Sequence, residues 1–142
     1  MPPLDLDVVR ARIRAIPDFP SPGILFRDIT PLLHDPAALR AANDALAEAA
    51  RDMDATVIAG VEARGFIFGV PVAERLALPF VPMRKPGKLP AAFASVAYEL
   101  EYGTAELEVH RNPSLAGQRV VRGREAECAR HYQARALPAA AQ

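Results

Sequence analysis

Lysine is nearly absent from this 142-residue chain: it occurs only as Lys85 and Lys88, and arginine supplies the remaining basic side chains. Cysteine is limited to Cys128, which excludes an intramolecular disulfide and fits a reducing compartment. Net charge is absent too, because 17 Lys and Arg offset 17 Asp and Glu, so no basic excess points to nucleic acid or to a membrane. No apolar run approaches the ~18 residues of a membrane span, and the N-terminus lacks a basic-then-apolar leader pattern. A soluble, cytoplasmic protein is expected, with no nucleic-acid or membrane partner. There is no internal repeat, and the length suits one domain with a real core.

Proline, by contrast, is plentiful. Pro17, Pro20, Pro22 and Pro31 fix φ along 17–31, so most of that stretch cannot be an ordinary helix. Before it, Leu6, Val9, Ile13 and Ile16 recur at helical spacing and predict a short amphipathic helix over 5–15. Asp35 and Pro36 mark a helix start, the carboxylate capping free N–H groups and the proline suiting the first helical position. Leu39, Ala42, Leu46, Ala49 and Met53 predict that helix's buried stripe. Residues 56–61 are apolar and β-branched, as in a strand buried on both faces. A helix over 66–76 follows, kinked or delayed by Pro71, and then a strand over 80–83. Strand, helix and strand in that order predict a right-handed βαβ unit in a parallel sheet, hence an α/β fold.

Over 91–110 the pattern changes. Phe93, Ser95 and Ala97 face one way, Tyr98, Leu100 and Tyr102 alternate with acids, and after Gly103 Leu107 and Val109 alternate with Glu106 and Glu108. This predicts a half-exposed β-hairpin or flap. Residues 112–117 carry turn chemistry, and 118–121 begin another strand. Over 122–142 arginine and alanine dominate and the apolar period vanishes, so a disordered or weakly helical segment is expected there.

Three segments carry candidate chemistry. Leu25-Phe26-Arg27 puts an aromatic ring in a proline-fixed segment, either to stack on a flat ligand or to pack into the core. Glu62-Ala63-Arg64-Gly65 lies between a buried strand and a helix, where backbone N–H groups and the Arg64 fork suit an anion; the plainer alternative is a strand-to-helix turn with a solvated arginine. Arg84, Lys85 and Lys88 put three cations within five residues at the end of a strand, beside Pro86 and Gly87. Ligands of parallel sheets sit at that end. The plainer alternative is an exposed basic loop, and the missing interleaved aromatics count against a nucleic-acid patch. Glu99, Glu106 and Glu108 are read as the solvated face of the hairpin.

Together these segments resemble the adenine phosphoribosyltransferase family of type I phosphoribosyltransferases, over about residues 12–121. The resemblance implies a type I fold, a parallel sheet with flanking helices and a flap hairpin, incomplete after the strand at 118–121. It implies that adenine and 5-phosphoribosyl pyrophosphate give AMP and pyrophosphate, with Mg²⁺ bound through the pyrophosphate, in a homodimer. Leu25, Phe26 and Arg27 would bind adenine. Glu62, Ala63, Arg64 and Gly65, a loop that often has a non-proline cis peptide in the family, would bind pyrophosphate with Arg84, Lys85 and Lys88. Glu101 would handle the proton at the purine, and Tyr102 would cover the site. Family members continue past the strand at 118–121 with two adjacent acids and a loop rich in threonine and glycine that binds the 5-phosphate. Here Arg122-Gly123-Arg124-Glu125 follows, so 1–121 is expected to be the phosphoribosyltransferase part and 122–142 a non-homologous tail. The rival expectations are a non-catalytic chain that binds adenine or AMP or pairs with a complete subunit, and a regulatory relative that senses ligand.

Overall fold

The computed structural model describes residues 6–90, 93–100, 103–110, 117–122 and 135–136. Helix α1 spans only Asp7–Arg10, stitched by an Arg10–Asp7 ion pair. The helix expected over 5–15 stops there, and Arg14–Pro17 instead forms strand β1, antiparallel to β2 (Leu25–Asp28). Tertiary pairing overrides the helical period: Arg14 lies opposite Asp28 and its guanidinium closes on the Asp28 carboxylate. Between the two strands, Gly23 N donates to Asp18 Oδ1 at 2.8 Å and Phe19 N to the Ile24 carbonyl at 3.1 Å.

Asp28 does a second job. Its Oδ1 accepts from Thr30 N at 2.9 Å, at the start of α2 (Thr30–His34). The Thr30 hydrogen bonds, and then Arg14, hold its carboxyl at about 2, against 3.8 ordinarily. A depressed folded-state pKa means that the stabilisation is complete above the unfolded value and fades as pH falls through about 2. Melting temperature is therefore expected to drop between roughly pH 4 and pH 2, and less steeply in Asp28→Asn. Identical acid slopes for the two proteins would show that Asp28 does not anchor this corner.

Helix α3 (Pro36–Asp52) begins as its sequence dictates, with Asp35 Oδ1 accepting from Ala37 N and Ala38 N at 3.0 and 3.1 Å and Pro36 in the first turn. Its buried line is Ala38, Ala42, Asn43, Ala47 and Ala50; of the expected stripe Ala42 is buried, whereas Leu39, Leu46, Ala49 and Met53 are only half-buried. Small side chains occupy the line of closest approach, and the leucines flank it.

Strand β3 (Val57–Val61) is buried at every residue. Helix α4 (Arg64–Leu76) follows, with Pro71 inside it, and leads to β4 (Phe80–Met83), parallel to β3. The expected βαβ unit is present. Strands β5 (Phe93–Leu100) and β6 (Gly103–His110) form the expected antiparallel hairpin. Strand β7 (Val120–Arg122) lies parallel to the other side of β3, and β8 (Arg135–Ala136), within the segment expected to be unstructured or weakly helical, pairs antiparallel with β7. The sheet order is β4-β3-β7-β8. Period-two alternation splits its core: Ile58 and Val121 meet α3 and α4 through Ala47, Ala50, Val72 and Ala73. Val57, Ala59, Val61 and Val120 pack with Met83 and Leu107 of β6. Among the described residues no helix is long and apolar enough to cross a membrane.

Candidate active site

Two glycines set the site's geometry. A Cβ at Gly60 would lie 2.5 Å from the Gly65 carbonyl oxygen and 2.9 Å from Phe80 Cζ. The first turn of α4 therefore rests directly on the end of β3, and residues 62–65 are confined to the carboxyl edge of the sheet. The peptide between Glu62 and Ala63 is cis, as the family resemblance implies. Helix α4 starts at Arg64, two residues earlier than expected, with no side-chain cap from Ala63.

Arg64 reaches across to the other candidate segment. Its Cζ lies 5.9 Å from the centroid of the Phe26 ring, within cation–π range, and the Phe19 ring packs against Phe26 in a T-shaped pair with centroids 5.1 Å apart. Phe26 is half-buried while Leu25 and Arg27 are exposed. Among the described residues β2 pairs only with β1, and residues two apart aim their backbone groups alike, so Leu25 and Arg27 present theirs in the same direction.

The cationic loop gathers around Glu62, whose side chain is 9% exposed. Its Oε1 accepts from Lys85 N at 2.6 Å, and its Oε2 meets Arg84 and Lys88, each at 3.3 Å. The Lys85 amide, followed by Arg84 and Lys88, keeps the carboxyl below its ordinary range although burial pushes the other way. Arg84 Nε is buried without a hydrogen bond among the described residues. Arg84 and Lys88 are thus compensated by a carboxylate, a pairing across 22 and 26 residues that the sequence does not advertise.

Glu108 corrects an expectation. It was expected on a solvated face, yet it is 6% exposed, and its Oε2 accepts from Gly87 N at 3.2 Å. Strand β6 docks beside Arg84, so both of its faces are covered at this point. Glu106 is exposed, as expected, and accepts from Ser95 Oγ. Glu101 and Tyr102 lie outside the described residues, as does the side chain of Glu99. Among the described residues no group of three or more His, Cys, Asp or Glu could cage a metal ion.

The chain is 56% identical over 115 residues to an adenine phosphoribosyltransferase of Streptomyces coelicolor, covering 81% of this chain and 63% of that protein. It is 58% identical over 116 residues to that of Methylococcus capsulatus, covering 82% and 68%. The chain belongs to the adenine phosphoribosyltransferase family. A crystal structure of the adenine phosphoribosyltransferase from Thermoanaerobacter pseudethanolicus superposes with a TM-score of 0.75 at 52% identity, over 82% of this chain and 67% of that one. The parallel sheet with flanking helices is therefore the family's type I fold. The chain spans just under two thirds of the length of the first of these relatives. No protein-family profile matches it.

Proposed function

We propose that the chain derives from a purine-salvage enzyme that joins adenine to 5-phosphoribosyl pyrophosphate, giving AMP and pyrophosphate. The observation that supports this reading most is the approach of Arg64 to the Phe26 ring, which sets an aromatic ring beside the loop at 62–65. Adenine stacks on Phe26, and the backbone of Leu25 and Arg27 reads its edge. Glu62, Ala63, Arg64 and Gly65 cradle the pyrophosphate at the start of α4, with Arg84, Lys85 and Lys88 neutralising the charge that builds on the leaving group. Glu101 manages the purine proton and Tyr102 closes over the reacting bond, excluding the water that would compete for the ribose carbon.

Mg²⁺ would arrive on the pyrophosphate, where it offsets negative charge. Glu62, a carboxylate beside the cationic loop, is already committed to Lys85, Arg84 and Lys88, which leaves it little capacity to hold an ion of its own. Residues 1–121 form the phosphoribosyltransferase part of a cytoplasmic homodimer, and 122–142 fall outside the family pattern. The non-catalytic and regulatory alternatives are less favoured, since the relatives above all carry the enzyme's name.

Phe26→Ala is expected to weaken adenine or AMP binding by about 1–3 kcal/mol, the worth of a base–aromatic stack. Isothermal titration with adenine checks this. Unchanged affinity, in a chain that binds measurably, would remove Phe26 from the purine site.

A further inference from the structure

We propose that Glu108 is a positioning residue: from β6 it holds the amide of Gly87 and so fixes the shape of the cationic loop at 84–88. The proposal rests on reading that loop as an anion site, and extends it to a residue that touches no ligand.

Three amides occur along 84–87, because Pro86 has none, and all three are held. Arg84 N donates to the Glu108 carbonyl at 2.8 Å, Lys85 N to Glu62 Oε1 at 2.6 Å, and Gly87 N to Glu108 Oε2 at 3.2 Å. Glu108 N returns a bond to the Arg84 carbonyl at 2.7 Å. One residue of β6 thus grips the loop at both ends, by its backbone at Arg84 and by its side chain at Gly87.

The Gly87 grip is the one the loop can least do without. Gly87 adopts φ +81°, and a Cβ there would meet nothing within 4 Å, so no neighbour crowds this position into its conformation. Glycine is also the residue most free to leave it. Among the described residues the Glu108 carboxylate enters no ion pair. A carboxylate this buried requires donors, and the Gly87 amide is one that it has. With the main chain tied down, Lys85 and Lys88 start from a fixed base, and less ordering opposes anion capture.

The test titrates inorganic pyrophosphate, and separately adenine, into the full chain, E108A and E108Q, and follows hydrogen exchange of the Gly87 amide. E108A is expected to bind pyrophosphate roughly tenfold more weakly, as for one lost charge-assisted hydrogen bond, with adenine affinity unchanged. E108Q keeps an acceptor oxygen and is expected to retain pyrophosphate affinity and slow Gly87 exchange. Undiminished pyrophosphate binding by E108A would overturn the proposal. So would parallel losses for adenine and pyrophosphate, or a loss in E108Q equal to that in E108A while Gly87 stays protected. If E108A does not fold, E108Q and Gly87 exchange decide. A wild-type chain that binds no pyrophosphate would refute the anion-site reading, whereas fast Gly87 exchange in the wild type would refute the tie itself.

Discussion

Purified as it stands, this 142-residue chain is expected to form AMP about 10³-fold more slowly than a complete family member, or slower still, since charge-assisted hydrogen bonds contribute ~1.5–3 kcal/mol each and two are enough. The family pattern puts two adjacent acids and a threonine- and glycine-rich loop after the strand that contains Val120 and Val121. Residues 122–142 contain no threonine, one glycine and no adjacent acids. The segment proposed to hold the purine and the cationic loop are present, so ligand binding should outlast turnover. Replacing 122–142 with the corresponding ending of the Streptomyces coelicolor relative should raise AMP formation from radiolabelled adenine towards the complete enzyme. Turnover by the unmodified chain within the usual ~1–10³ s⁻¹ would show that 122–142 replaces the missing loop after all.

Gly60→Ala is expected to cost about 3 kcal/mol of stability, the upper end for overpacking. The added carbon would press on the Gly65 carbonyl oxygen, which belongs to the backbone and cannot rotate away, as well as on the Phe80 ring. Relief requires α4 to lift from β3, and residues 62–65 would move with it. Urea denaturation measures the loss; a change below about 1 kcal/mol would mean that helix and strand separate easily and that Gly60 does not place the loop.

The βαβ unit was legible because β3 is a continuous apolar run and β4 follows one helix later. The start of α3 was legible because Asp35 and Pro36 act locally. What misled was periodicity without its tertiary partner. Ile13 and Ile16 sit at helical spacing from Leu6 and Val9, yet the strand pairing that Arg14 makes with Asp28 claims that stretch. Glu108 alternates with Leu107 and Val109 and so looks solvated, but only the docking of β6 against Arg84 puts a loop over it. The candidate site residues were found as clusters in sequence, whereas their pairings were not. Glu62 with Lys88, and Phe26 with Arg64, are contacts between separate elements that no spacing rule encodes.

The pairing of β3 with β7 also imposes an order on assembly. Thr56 and Arg119, hydrogen-bonded at the edge of that pair, are 63 positions apart in the chain, whereas β3 meets β4 after a single intervening helix. Closing the longer loop costs more chain entropy, so the short-range β3–α4–β4 unit is expected to form first and offer a ready edge to β7. The hairpin that carries Glu108 lies inside that long excursion. The grip on Gly87 spans 21 positions, no more than the 22 between paired residues of β3 and β4, so the cationic loop can be tied down before β7 arrives.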